Sequence, residues 1–160
     1  MPEAPRFVVD INVGRLATWL RVMGYDTLFP READDSDLVR IALREGRVLV
    51  TRDAGFGRRR AVRNGQMRVV RVEADDLRSQ LRQVVRELKL DPAGGFSRCV
   101  RCNEPLHSLD KKDVDGRVPP YVFRNHSRFT ECPGCRRLYW RGTHWSKMIA
   151  ELDQVYREAG

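Results

Sequence analysis

A chain of 160 residues with 41% hydrophobic and 32% charged residues carries enough apolar material for a packed core. That excludes a wholly disordered chain and leaves room for one domain, or for a domain of about 100 residues with a small appendage. The longest apolar runs, such as Phe7–Val9 and Val48–Val50, fall far short of the roughly 20 residues a membrane span needs. The opening MPEAPRF has no apolar leader segment, so a cytoplasmic protein with no membrane attachment is expected. Thirty basic residues against 22 acids give a net charge of +8, with a pI near 9.8. The excess falls equally on both sides of Phe96, so it is not a basic tail; it favours contact with polyanions such as nucleic acid.

In chain order, RFVVDI (6–11) is a β-branched strand candidate. GRLATWLRVMG (14–24) then places Leu16, Leu20 and Met23 at helical spacing and closes on Gly24. YDTLFP (25–30) is a weaker strand stopped by Pro30. DDSDLVRIALREG (34–46) has acids in its first turn and Gly46 past its end, the pattern of a capped helix. RVLVT (47–51) and MRVVRV (67–72) read as strands with a helical segment, 56–64, between them, and 74–90 is an amphipathic helix. Strands alternating with helices predict an α/β fold, three layers around a central parallel sheet, over residues 1–91. DPAGGFS (91–97), with Pro92, Gly94 and Gly95, reads as a linker at 92–97. A small β-rich module over 98–145 and a docking terminal helix over 146–160 follow.

In an open parallel sheet, ligands bind outside the carboxyl ends of the strands. Asp10 closes the first strand, Asp53 follows the third, and Asp34, Asp35 and Asp37 begin the helix between them. Carboxylates gathered at one edge repel unless they share a cation, and oxygen donors suit Mg²⁺ or Mn²⁺. Two such ions can clamp an in-line displacement at phosphorus. Taken singly, the three helix-start acids also suit capping, and Asp53 suits a turn before AGFG.

From Ala54 to Val72 there are six arginines and no acid. Arg58, Arg59 and Arg60 are the best phosphate contacts in that block, with Arg52 beside Asp53, while Arg15 and Arg21 on the polar side of the first helix extend the surface. Arg68 and Arg71 fit solvated strand faces.

All four cysteines lie in two C-x-x-C pairs, Cys99/Cys102 and Cys132/Cys135. Paired knuckles across a β-rich stretch predict a closed structural Cys₄ zinc site, whereas two disulfides do not suit a cytoplasmic compartment. His107, His126 and His144 are then not needed as ligands. Around Tyr139, Trp140, Arg141, His144 and Trp145, aromatic and basic groups mix as on RNA-stacking surfaces. For the two tryptophans, packing within the protein is the stronger reading.

These residues together resemble the Mut7-C family, a PIN-like ribonuclease domain followed by a zinc ribbon. The resemblance rests on VDINVGRLATWLRVMGYDT, DDSDLVRIALREGRVLVTRD, SRCVRCNEPL, VP, CPGC and YWRGTHW. It implies a metal-dependent endoribonuclease in which Asp10, Asp35 and Asp53 hold Mg²⁺ or Mn²⁺, assisted by Asp37 or Asp34. The ribbon would help to bind RNA, a ribosome or a protein partner. A further mid-chain acid common in PIN nucleases has no clean equivalent among Asp26, Glu32, Asp34 and Asp37. The alternatives are a non-catalytic RNA- or ribosome-binding adaptor and, more weakly, a protein-interaction module.

Metal analysis of protein purified under reducing conditions is expected to find one zinc per chain. Its absence would refute the Cys₄ reading.

Overall fold

The computed structural model describes residues 3–91 and 94–160; Pro92 and Ala93 of the expected linker lie outside the described residues. Four strands, β1 (Phe7–Val9), β2 (Thr27–Leu28), β3 (Val48–Thr51) and β4 (Val69–Arg71), form a sheet in the order β2-β1-β3-β4. All three pairings are parallel; Val9 lies opposite Val50, and Val50 opposite Val70.

Parallel strands need cover on both faces, and alternate residues supply the two sides. Phe7, Val9, Val50 and Val70 share one core with Leu16 and Leu20 of α1 (Arg15–Val22) and Leu81, Val84 and Val85 of α4 (Leu77–Leu88). Val8 and Leu49 face the other way, onto Leu38 and Ala42 of α2 (Asp35–Glu45) and onto Phe56 and Met67. The result is the expected three-layer α/β arrangement.

The helix ends follow from local chemistry. Asp34 and Asp37 make a reciprocal capping box at the start of α2, and Gly46, at φ 65°, ends it in the left-handed region. Asp76 caps α4 by accepting from the Ser79 N–H at 2.9 Å. Gly24, at φ 95°, is required twice over, because a Cβ there would also lie 2.0 Å from the Gly94 carbonyl oxygen. The segment expected as one helix over 56–64 is instead a 3₁₀ turn, Ala54–Arg58, followed by the short α3, Arg60–Arg63. Gly55 and Gly57 weaken a continuous α-helix there.

The second module has an antiparallel sheet of β5 (His107–Leu109), β6 (Phe129–Glu131) and β7 (Leu138–Trp140), ordered β5-β6-β7. Val114, Val122 and Phe129 form its small core, with Val122 on α5 (Pro120–Asn125) and Trp140 packed alongside. The terminal helix α6 (Thr143–Ala159) starts three residues before the expected boundary, so His144 and Trp145 belong to its first turn. It docks on α4, placing Leu152 and Val155 in the core that holds Phe7 and Val50. Ion pairs Arg82–Glu158 (2.6 Å) and Arg78–Glu151 (3.5 Å) border that contact. Among the described residues, no helix is long and apolar enough to cross a membrane.

Because Leu152 is buried in the sheet's core rather than in a separate tail, Leu152→Ala should destabilise the α/β unit by about 2–5 kcal/mol. Denaturant unfolding followed through the sheet checks this. An unchanged midpoint would mean that α6 is an accessory.

Candidate active site and metal centre

Strand order decides where a ligand can enter. The chain leaves β1 for β2 on one side and returns across β1 to β3 on the other, so the connections diverge between β1 and β3. Such a switch point leaves a crevice outside the carboxyl ends of those two strands. Asp10 follows β1, and Thr51 ends β3.

Asp10 is only 8% exposed. Its Oδ1 accepts from the Ile11 N–H at 2.8 Å, and its Oδ2 accepts from the Thr51 hydroxyl at 2.8 Å. That hydroxyl accepts in turn from the Asp53 N–H at 3.0 Å. A backbone N–H can only donate, so the hydroxyl hydrogen is left to point at Asp10. Thr51 therefore fixes the Asp10 carboxylate and the start of the Asp53 loop with one atom. Asp53 Oδ1 caps the following turn through the Gly55 N–H at 2.7 Å, and Asn12 Oδ1 accepts from the Arg52 N–H at 3.2 Å. Sequence reading missed Thr51 and Asn12; the available signal was a polar residue at the end of an apolar strand and another two residues past Asp10. Ile11, beside Asp10, is 62% exposed.

The other acids are placed differently. Asp35 is exposed in the first turn of α2. Asp37 is engaged in the capping box, where its Oδ2 accepts from the Asp34 N–H at 3.1 Å, and it also pairs with Arg40. The Asp34 N–H and the Arg40 guanidinium hold its carboxyl below the usual range. Asp26 precedes β2, and its carbonyl accepts from the Phe7 N–H, which puts it at the opposite, amino edge of the sheet from Asp10. It is thereby removed as a further active-site acid. Asp10, Asp35 and Asp53 do not come together as a ligand cluster. Among the described residues, the one group of three or more metal-ligating side chains within 4.8 Å of one another is the four cysteines.

The arginines also divide. Arg15, Arg58 and Arg60 are exposed. Arg59 lies over the Phe56 ring at 5.9 Å, and Arg52 pairs with Asp75 at 2.6 Å. Arg21 is not part of a phosphate surface: its Nε donates to the Thr27 carbonyl at 2.9 Å and its Nη1 to the Val100 carbonyl at 2.9 Å. Burial lowers its pKa. In the second module, Trp140 packs against Phe129, and Trp145 packs on Phe96 at 5.3 Å, with Arg141 over the Trp145 ring at 5.2 Å. The tryptophans thus serve packing, while Arg141 and His144 remain exposed.

The cysteine site is built from two matching loops. In each, the first cysteine's N–H and carbonyl are both tied down within the loop: Cys99 to the Glu104 carbonyl and the Asn103 N–H, Cys132 to the Arg137 carbonyl and the Arg136 N–H. Asn103 and Arg136, at φ 66° and 67°, make the two left-handed turns. Cys99 Sγ and Cys135 Sγ lie 3.7 Å apart, close to the roughly 3.8 Å that tetrahedral Zn–S bonds of about 2.3 Å imply. The Tyr139 hydroxyl, 3.2 Å from Cys99 Sγ, accepts from the Val100 N–H and so directs its hydrogen to the sulfur. Burial pushes the Cys99 thiol up, but hydrogen bonds from Tyr139 and from the backbone N–H groups of Cys102 and Arg101 bring it down to about 7. Cys102 is pushed up to about 12, first by its hydrogen bond with Cys135. Four crowded sulfurs resist carrying charge together, and a divalent cation with thiolate preference removes that conflict. The donor set fits zinc.

The first knuckle also closes the sheet's edge. Asn103 Oδ1 accepts from the Thr27 N–H at 2.9 Å, and its Nδ2 donates to Asp26 Oδ1 at 2.7 Å. The buried Arg47 reaches the same carboxylate at 2.8 Å. Burial alone would raise the Asp26 pKa, but the bonds from Arg47 and Asn103 outweigh it and hold it below the usual value of 3.8.

The model of the Mut7-C RNAse domain matches residues 5–152, essentially the whole chain. No curated protein and no solved structure matches.

A carboxyl whose folded pKa is depressed stabilises the fold above its unfolded pKa. That contribution disappears as pH falls through the folded value. Asp26 therefore adds stability that is complete above the ordinary value of 3.8 and is lost below it. Asp26→Asn should flatten this acid limb in unfolding midpoints measured from pH 6 to pH 2; an unchanged limb would show that the Asp26 pairs contribute nothing.

Proposed function

The chain belongs to the Mut7-C RNAse domain family, and from that premise we propose that it is an endoribonuclease hydrolysing RNA phosphodiester bonds at the β1/β3 crevice. The observation that supports this most directly is the Thr51 hydroxyl joining Asp10 to the Asp53 loop at the sheet's switch point. A carboxylate held by two hydrogen bonds at 8% exposure has a fixed position and no freedom to turn away from a substrate.

Mg²⁺ or Mn²⁺ is the metal this reading takes. Mg²⁺ is usually held by one or two carboxylates together with substrate phosphates, so a cage of three acids is not required. Asp10 would hold it, with Asp53 or Asp35 as the second acid. When bound, such an ion activates water and stabilises the leaving oxygen. Asp37 is a poorer candidate because the helix cap and Arg40 occupy it. Arg58 and Arg60 would neutralise the RNA backbone beside the crevice. The zinc ribbon and the first turn of α6 would present Arg141 and His144 to RNA or to a partner.

A second reading is favoured by one observation: Asp10, Asp35 and Asp53 do not form a ligand cluster. In it the chain binds RNA or a ribosome without cutting.

Incubation with mixed RNAs in Mg²⁺ or Mn²⁺ separates the two. Asp10→Asn and EDTA should each abolish cleavage. Thr51→Val, which keeps the shape and removes the hydroxyl, should lower the rate about 10–100-fold, as loss of a carboxylate's supporting bond does. Activity surviving Asp10→Asn and EDTA would sink the metal-carboxylate mechanism, and binding with no cleavage by the wild type would establish the adaptor.

A further inference from the structure

Helix α2 has a second stripe that the core uses only in part, through Val39. Leu38 and Ala42 face the core, whereas Ser36, Val39, Arg40, Leu43 and Arg44 line an open groove whose opposite wall includes Arg59. Leu43 is 42% exposed, and the side chains of Arg40 and Arg44 are 64% and 71% exposed. The lining therefore combines aliphatic Val39 and Leu43 with three arginines.

We infer that this groove is the track for single-stranded RNA flanking the β1/β3 crevice, with Arg40, Arg44 and Arg59 contacting successive backbone phosphates. The inference rests on the RNA-directed reading above and assigns the strand's path. Helix α2 starts at the carboxyl edge of the sheet and runs away from it, since it connects the end of β2 to the start of β3. A strand bound at the crevice thus meets Ser36 first and then Arg40 and Arg44, one helical turn apart. Arg59 comes from the loop that follows β3, so both walls converge on the same rim.

The existing partners of these arginines do not compete strongly. Arg40 pairs with Asp37, and Arg44 approaches Glu45 at 3.8 Å, both at the surface. Exposed pairs of this kind contribute only about 0–1 kcal/mol, so a phosphate can displace them and offers the guanidinium two parallel bonds. Val39 and Leu43 then lie against sugar and base surfaces. An acidic protein segment would also match the charge. Among the described residues, three arginines line the groove and no acid does, its first residue, Ser36, lies in the first turn of α2 at the carboxyl edge, and the exposed Arg58 and Arg60 flank Arg59 in sequence; together these favour RNA.

The test is a salt titration of binding to a fluorescent single-stranded RNA, read by anisotropy, for wild type, R40Q/R44Q/R59Q and R40K/R44K/R59K. Each lost phosphate contact should reduce the slope of log K against log salt by about 0.7, so the glutamine variant should lose about 2 from the slope and the lysine variant should keep it. A slope unchanged by the glutamines overturns the inference, including the case in which the groove takes an acidic protein. The expected loss of slope in the glutamine variant, with no cleavage by the wild type, would end the nuclease reading and leave the track standing. Cleavage by a glutamine variant whose slope is unchanged would do the reverse.

Discussion

Cover on both faces of a short parallel sheet is the constraint from which the remaining structure follows. Strands β1 and β3 are central, so each successive side chain must find a core on alternate sides. Phe7, Val9 and Val50 require one layer and Val8 and Leu49 another. Helices α1 and α4 cover the first side only with help: α6 returns from beyond the cysteine module to add Leu152 and Val155. The chain's last helix is thus a part of its first unit, and the cysteine module is held between two segments of one fold.

The same constraint creates the site. With both faces occupied by helices, the open ground is the carboxyl rim, and the divergence of connections between β1 and β3 keeps it clear. Thr51 is fully buried at this rim. Its hydroxyl satisfies a donor and an acceptor that would otherwise be stranded at the end of an apolar strand. Delivery of Asp10 and solvation of the strand end are one arrangement, which explains how a carboxylate is tolerated so close to the core.

At the opposite edge of the sheet, β2 is two residues long and has an outer side to protect. The knuckle supplies that protection with a side chain: Asn103, at its left-handed turn, takes the Thr27 N–H and the Asp26 carboxylate. Arg21 completes the joint by donating to carbonyls of β2 and of the knuckle at once. The first knuckle is joined to the sheet's edge by the Asn103 amide, one of whose bonds goes to the Asp26 carboxylate, and by the half-buried Arg21; beside them Phe96 and Val100 pack against the sheet's core.

Much of this was legible in the residues themselves. Alternating apolar periods, the capping acids before α2 and the glycine after it are local signals, and local hydrogen bonding decides them; each C-x-x-C knuckle is likewise local, and two such pairs in one chain signal a four-cysteine site although they meet 36 residues apart. Asp10 and Asp53 were placed at the rim for the same reason, since a strand's end is readable from its apolar run. What depends on distant partners was not readable. Whether Arg21 faces solvent or the knuckle, whether Asp26 sits with Asp10 or across the sheet from it, and whether Thr51 or a metal holds the acids together are set by which strands become neighbours. So is the outward stripe on α2, which looks like ordinary helix surface until Arg59 arrives opposite it. The sequence by itself determined the elements and their caps, because those interactions span a few residues, and the thiol set, because the paired C-x-x-C spacing marks it even though the two pairs meet 36 positions apart. Only the tertiary structure decided which charged groups became joints and which stayed available, because that choice follows from strand order and from the return of α6.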